Sequence, residues 1–405
     1  MNYLLLTEYF PASEKAEITG GIESRCFHLV KELSKEHQIT VLCSHQPGQE
    51  RISEVVGAKV IRCGPIMPYS SSGDIFKRLL FSCSLYQTGK KLKNKKENEI
   101  KTNTFDKANI FDIIEGSSFL AYPPAYFLGK KFNAKKVATW HETWVGQWIK
   151  NKGFFTGSFG TLWERFSLTL KWDEIIAVSE FTKHRLIKQG INEKKIRVVP
   201  NGIEPERFKH LQTLKEKVPT ICFFGRLNWQ KNVDVLIKAL PEIEKEIPEI
   251  RCELFGSGPA EESLKALVRD LKLEQKVRFH GYVKDYNEML KEAKKAHLFV
   301  QPSTLEGFGI TVIEALALKM PYVISDIPPF IEITKNGQGG EIFQQMNVKD
   351  LAQKVIKLLT NKKDYLQKIE EGNLLVEEYD WGKIAKNYFT DNVMTNISKN
   401  VLENK

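Results

Sequence analysis

The chain has 405 residues, too many for one hydrophobic core and enough for two domains, and its composition is that of a soluble globular protein. The net charge is +10, and the excess is lopsided: residues 1–205 hold 30 basic against 21 acidic side chains, residues 206–405 hold 30 against 29. No run approaches the ~20 apolar residues that cross a bilayer, and six scattered cysteines without a CxxC pair exclude a disulfide framework or a thiolate metal site.

The start, Met1 to Glu8, has no basic region and too short an apolar run for a signal peptide, so a cytoplasmic protein with reduced thiols is expected. Tyr3–Thr7 reads as a buried strand. Gly20 and Gly21 follow a polar loop and open a helix through Phe27, Leu29, Val30 and Leu33, and Ile39–Cys43 is the next strand. A strand, glycine turn, helix and strand imply a parallel sheet. The turn is not GxGxxG, so the dinucleotide fingerprint is missing where it would stand. Gly20-Gly21 fits backbone approach to a diphosphate and fits a plain turn equally well.

Val60–Cys63 and Ile110–Ile114 are further strands. Between them Lys90 to Lys96 is a basic run on a helix, most simply a solvated face. Val137–Trp140 ends at His141-Glu142, and the carboxyl end of a parallel strand is where open α/β sheets bind ligands. Residues 140–172 hold five of the seven tryptophans, with Phe154, Phe155, Phe159 and Phe166 among them. Core packing accounts for most such rings. The remainder suits an amphipathic lip against a lipid or an aglycone. Glu174–Val178 is a strand, Ser179 caps the helix that follows, and Ile196–Val199 closes at Pro200-Asn201-Gly202. The polar stretch Pro205–Lys217 reads as a linker.

A second alternating set begins at strand Thr220–Phe224, which ends at Gly225-Arg226. Lys231 and Asn232 precede a helix from Val233 to about Ile243, with Asn232 a candidate cap. A cation at a helix start opposes the macrodipole by about 0.3–1 kcal/mol unless an anion is near. Arg226 and Lys231 can bracket a diphosphate, or be two surface cations. Cys252–Phe255 leads to Gly256-Ser257-Gly258-Pro259, and Val277–Phe279 to His280-Gly281-Tyr282-Val283. Strands Leu298–Gln301 and Tyr322–Ser325 follow. Gly337 and Gly339-Gly340 mark a loop, Val348–Leu359 is amphipathic, and Asn373 to about Ser398 reads as helices.

The stretch Leu305–Glu314 organises the rest. Glu306 lies in a loop and Glu314 about one turn inside an apolar helix, a separation of about 12 Å if the span were helical. Gly307 and Gly309 let the backbone approach a ligand, and the free N–H groups of the helix start suit a phosphate. A carboxylate in a helix apolar on nearly all sides needs a donor, and a ribose hydroxyl pair would serve, as would a structural donor.

In this order and at these distances, Gly20-Gly21, His141, Ser179-Glu180, Pro200-Asn201-Gly202, Gly225-Arg226, Lys231-Asn232, Gly256-Ser257-Gly258, Gly281 and Glu306-Gly307-Phe308-Gly309 with Glu314 resemble the family 4 retaining glycosyltransferases. The resemblance covers nearly the whole chain. It implies an α/β protein of the GT-B fold, two Rossmann-like doubly wound domains facing across a cleft. Residues 1–205 would form the acceptor-side domain and 206–375 the nucleotide-sugar domain. Helices in 376–405, around Trp381, would cross back to the first domain as a hinge. It further implies that Glu306 meets the transferred sugar near the reacting carbon and that His141 sits near that sugar. Arg226 and Lys231, with Gly20 and Gly21, would meet the donor phosphates, and Glu314 the ribose. Backbone around Phe308, Gly309, Ile310 and Thr311 would meet sugar and phosphates, and Tyr282-Val283 would border the base. Glu204 and Glu142 depart from the family's commoner residues.

The resemblance implies no tightly bound cofactor. A UDP- or GDP-linked sugar is the donor substrate and a glycan or a lipid-linked molecule the acceptor. No Asp-x-Asp stands in a candidate active-site turn, so no metal is expected; nor is a nucleic-acid partner. The basic first half and the aromatic segment give an expected peripheral membrane contact through residues 90–172, at the inner face of the membrane. Two alternatives stand beside sugar transfer: a nucleotide-sugar epimerase of the same fold, and a non-catalytic nucleotide-sugar-binding subunit.

Overall fold

Tyr3, Leu4, Leu5 and Leu6 are fully buried, the signature of a central parallel strand covered on both faces. The computed structural model containing them describes residues 1–16, 18, 20–68, 75–100 and 110–389, with the side chains of 93–100 excepted. Packing divides the chain into two units: Met1–Pro200, joined by the described residues from Ile384, and Asn201–Lys383.

The first unit runs β1 (Asn2–Leu6), α1 (Gly21–Leu33), β2 (Gln38–His45), β3 (Ile52–Val55), β4 (Ala58–Ile66), α2 (Ile75–Ile100) and β5 (Ile113–Gly116). It continues with α3 (Tyr122–Phe132), β6 (Lys135–Trp140), α4 (Trp148–Lys152), α5 (Phe154–Thr169), β7 (Glu174–Ala177), α6 (Glu180–Lys188) and β8 (Ile196–Val198). The strands form one sheet in the order β3-β4-β2-β1-β5-β6-β7-β8. Every pairing is parallel except β3 with β4. The order reverses between β1 and β5, the switch point where a doubly wound sheet opens a crevice at its carboxyl edge.

Strand β3 goes unseen in the sequence. It folds back through Val56-Gly57, both at positive φ (45° and 78°), a two-residue hairpin turn in which Val stands where Asn or Asp is usual. The Ser179 cap is present: its hydroxyl accepts from the Thr182 N–H at 3.0 Å. Five cysteines are buried and Cys83 is exposed. Near its end the chain docks on this sheet. The Tyr388 hydroxyl donates to Glu115 Oε2 at 2.9 Å, and the Phe389 ring meets Tyr3 edge-on at 5.7 Å.

The second unit runs α7 (Pro205–Lys209), β9 (Thr220–Phe224), α8 (Val233–Glu246), β10 (Arg251–Phe255), α9 (Glu261–Asp270), β11 (Val277–Gly281), α10 (Tyr286–Ala293) and β12 (Leu298–Gln301). Then come α11 (Ile310–Ala317), β13 (Tyr322–Ser325), α12 (Pro328–Ile333), β14 (Gly340–Phe343), α13 (Val348–Thr360) and α14 (Lys362–Val376). The last helix, α15 (Trp381–Lys386), carries the chain out of this unit. The sheet is parallel throughout, in the order β11-β10-β9-β12-β13-β14, with its switch point between β9 and β12.

Several sequence expectations change here. The supposed linker holds α7, whose Phe208 is buried, and Lys215 donates to the Lys294 and Ala296 carbonyls at 3.0 and 2.5 Å. Gly340 opens β14 instead of extending a loop, because a side chain there would strike the Tyr322 carbonyl. Asn232 lies at the α8 start in a left-handed conformation (φ 44°) and makes no side-chain cap. Of the helices expected to Ser398, those up to Lys386 are present, and the part from 390 lies outside the described residues.

Candidate active site

Two loops leave the sheet of the second unit at its switch point, one after β9 and one after β12. The first is held by its glycines. Gly225 and Gly256 sit at φ 151° and 120°, and a Cβ on Gly256 would lie 2.0 Å from the Gly225 carbonyl oxygen. This contact lets the loops after β9 and β10 run side by side, with the Leu227 N–H donating to Ser257 O at 3.0 Å. Arg226 is exposed at this edge. The loop then turns back, and the Thr304 N–H donates to Gln230 O at 2.8 Å, tying it to the loop after β12.

That tie sets Lys231 against Glu306. Lys231 Nζ lies 2.5 Å from Glu306 Oε1, in a pair whose side chains are mostly shielded from solvent. The same oxygen accepts from Gln301 Nε2 at 2.7 Å and from Ser303 Oγ at 2.8 Å. Thr311, in the first turn of α11, donates to Gln301 Oε1 at 2.6 Å. A row of side chains thus runs from the helix start through the end of β12 to the carboxylate, fixing Glu306 before any ligand arrives. Gln301 and Ser303 went unnoticed in the sequence; nothing in a strand-end Gln and a loop Ser signals this role without the fold.

Gly309 begins α11 at φ 99°, and a Cβ there would meet the Phe330 ring at 2.5 Å, so only glycine fits. Phe308 turns its ring inward, edge-on to Tyr379 at 5.8 Å, which leaves the backbone of Phe308 to Thr311 at the sheet edge. Ile310 is partly exposed there. Glu314 lies one turn into the helix among the buried residues Val312, Ile313, Ala315 and Leu316. Burial raises its pKa to about 7, against the opposing pull of a Tyr286 hydrogen bond and the Arg207 charge. Its Oε2 is buried without a hydrogen-bond partner. Such an orphaned acceptor costs about 1–3 kcal/mol unless something donates to it.

Arg207 and Tyr286 are the neighbours that sequence reasoning missed. The Arg207 guanidinium lies 5.1 Å from the centre of the Tyr286 ring, and its Nε donates to Asn287 Oδ1 at 2.6 Å. Arg207 was hidden by the linker reading, since α7 packs against α11. Tyr282 follows Gly281 (φ 67°) and is exposed, and Val283 beside it is half-buried.

In the first unit, Gly20 and Gly21 start α1, and a Cβ on Gly21 would meet open space. His141 leaves the end of β6, and its Nε2 lies 3.1 Å from the Ser117 carbonyl and 3.2 Å from the Ser117 hydroxyl. Burial, then the Arg25 charge, lowers its pKa to about 3, so the imidazole is neutral at physiological pH. A neutral ring positions and hydrogen-bonds; it carries no charge for a leaving group. Arg25 and Cys26 stand on α1, and Cys26 Sγ is 3.4 Å from Ser117 Oγ. The structure therefore brings the middle of α1, Ser117 after β5 and His141 together.

Two doubly wound parallel units, each with polar groups at its switch point, define the architecture of the GT-B glycosyltransferases. The profile described as Glycosyl transferases group 1 matches residues 204–374, and that described as Glycosyltransferase Family 4 matches residues 19–207. The chain belongs to this family of group 1, family 4 glycosyltransferases. Its fold is similar to that of sucrose-phosphate synthase from Thermosynechococcus elongatus (TM-score 0.75, 17% identity, 100% of both chains). It is also similar to Anabaena HepE in complex with UDP and glucose (TM-score 0.68, 16% identity, 95% of this chain and 97% of that one). In sequence it is 30% identical over 228 residues to an uncharacterized glycosyltransferase of Methanocaldococcus jannaschii. That match takes in 53% of this chain and spans 58% of the relative's own length.

Proposed function

We propose that the protein transfers a hexose from UDP-hexose to a hydroxyl of a glycan or lipid-linked acceptor, with retention at the anomeric carbon. The observation that carries this reading is the incomplete pairing of Glu314: a buried carboxylate with one oxygen unpartnered, on the same helix whose start leads from Glu306. A ribose brings two adjacent hydroxyl donors, the complement that this oxygen lacks. The HepE structure with UDP and glucose supports uridine as the base.

In this reading the diphosphate lies toward Arg226, Lys231 and the backbone of α11's first turn, and the sugar toward Glu306. The acceptor oxygen forms a bond to the anomeric carbon while the bond from that carbon to the β-phosphate oxygen breaks. The electron pair leaves on UDP, and the acceptor proton passes to the departing phosphate oxygen. Negative charge grows on the phosphate, and Arg226 and Lys231 stabilise it more than they stabilise the ground state. Lys231 is neutralised by Glu306 before donor binds, and the diphosphate offers it a second anion. In the first unit, the neutral His141 is a hydrogen-bonding group suited to a hydroxyl ligand.

Thermal unfolding with UDP and with GDP, each with and without EDTA, tests the donor assignment. Ligand at about 100 times its Kd raises stability by about 2.7 kcal/mol. The expected result is a UDP-induced rise that survives EDTA and vanishes in Arg226→Ala. A rise with GDP alone would reassign the base, and no rise with either would remove the support for a donor site here.

A further inference from the structure

The aromatic segment is not used by the donor site, and its packing is unusual. Glu164 is buried on α5 and collects the tryptophans of the preceding segment. Trp148 Nε1 donates to its Oε2 at 2.6 Å, and the Trp144 N–H donates to its Oε1 at 3.0 Å. Helices α4 and α5 are drawn together by glycine: a Cβ on Gly157 would lie 2.4 Å from Ile149 Cα, and one on Gly160 would lie 2.5 Å from the Trp148 ring. The polar and small residues of this hairpin therefore face inward.

Several of the hairpin's large apolar residues face outward, while Leu168 and Trp163 pack inward. Phe155 is 85% exposed, Phe154 69% and Leu162 68%, with Phe166 and Ile149 also exposed. Phe155, Leu162 and Phe166 follow at intervals of seven and four, so they share one stripe along α5, a helix about 24 Å long. From Trp148 to Trp172 the chain carries Lys150, Lys152, Arg165 and Lys171, and its one acid is the inward Glu164. An apolar stripe flanked by cations alone is complementary to an anionic bilayer surface, where the rings enter the acyl boundary and the cations meet headgroups. A second copy fits less well, because a two-fold contact would set the same row of cations against itself. Among the described residues no helix is long and apolar enough to cross a membrane, so the contact is one of lying on the surface.

We infer that the α4–α5 hairpin is a preformed dock for an anionic lipid surface, with Phe155, Leu162 and Phe166 inserting and Lys150 and Arg165 meeting the headgroups. The dock is held in shape by Glu164 and the two glycine contacts, so it needs no folding on binding. Of the wider contact expected over residues 90–172, Lys90 and Lys91 are exposed on α2, while the side chains of 93–109 lie outside the described residues.

Co-sedimentation of the full chain with vesicles of phosphatidylcholine, alone or mixed with phosphatidylglycerol, tests this at low and high salt. The proposal extends the transferase reading by naming a surface, and vesicle binding is read without donor, so either can fail alone. Expected is binding to the mixed vesicles that falls with salt. It should weaken by about tenfold or more in Phe155→Ser/Leu162→Ser and in Lys150→Glu/Arg165→Glu, with the unfolding midpoint and any UDP-induced shift unchanged. The charge-reversal variant decides if the first fails to fold. Absence of binding to anionic vesicles would overturn the proposal, as would binding indifferent to both variants. So would a lipid-free dimer, seen by light scattering, that Phe155→Ser/Leu162→Ser dissociates.

Discussion

Each unit buries a carboxylate, Glu115 in the first and Glu314 in the second, and the two are partnered in opposite ways. Glu115 ends with both oxygens filled: Thr139 donates to Oε1 at 2.7 Å, and Tyr3 and Tyr388 donate to Oε2 at 2.7 and 2.9 Å. Burial raises the pKa of both groups. Glu314 keeps Oε2 open. A fully satisfied buried carboxylate fastens structure: here it joins β1, β5, β6 and the returning C-terminal segment. A half-satisfied one is tolerated where a ligand completes it. Burial alone would not separate the two; the count of donors does.

Substitutions should divide along the same line. The largest effect is expected on the second unit's chemistry: Lys231→Ala should lower the turnover number by about 10²–10³, as removal of a group aimed at developing charge does. Steady-state kinetics with UDP-hexose would read it. In the first unit, Glu115→Ala strands three buried hydroxyls, and denaturant unfolding should show a loss of about 3 kcal/mol or more. UDP binding should be unchanged, and if it fell equally the comparison would break. The smallest effect is expected for Tyr388→Phe, which removes one of Glu115's three donors and should cost about 1 kcal/mol by the same method.

Much of this was legible in the chain itself. The spacing of Glu306 and Glu314, the apolar run between Ile310 and Leu318, and Lys231 before a helix all carry local signals. Strands β9, β12 and β13 are continuous apolar runs, and their bounds are those expected. Residues whose role depends on a neighbour distant in sequence were not legible. Arg207 matters because α7 packs on α11; Ser303 and Gln301 stand within five residues of Glu306, but only the fold of the loop after β12 turns them onto its carboxylate. Gly340 carried the wrong local signal, since glycine usually marks a loop and here marks close approach to Tyr322. Glu115 and Glu164 could not be told from surface acids without their partners.

The proposed contact between Glu314's open oxygen and the donor's ribose has a direct test in pH. Folding raises this carboxyl from 4.5 to about 7. The stability it contributes is therefore full below about pH 4.5 and is lost as pH rises through about 7, by about 3 kcal/mol in all. Two donated hydroxyls favour the ionised form, so UDP affinity should climb as pH rises toward 7, by up to about tenfold per unit. Calorimetric titration of UDP across this range, on the protein and on Glu314→Gln, separates this slope from that of the phosphate, which both share. A steeper rise is expected for the unaltered protein, with weaker binding by Glu314→Gln above pH ~7. Equal affinity and equal slope for the two would contradict the proposed contact.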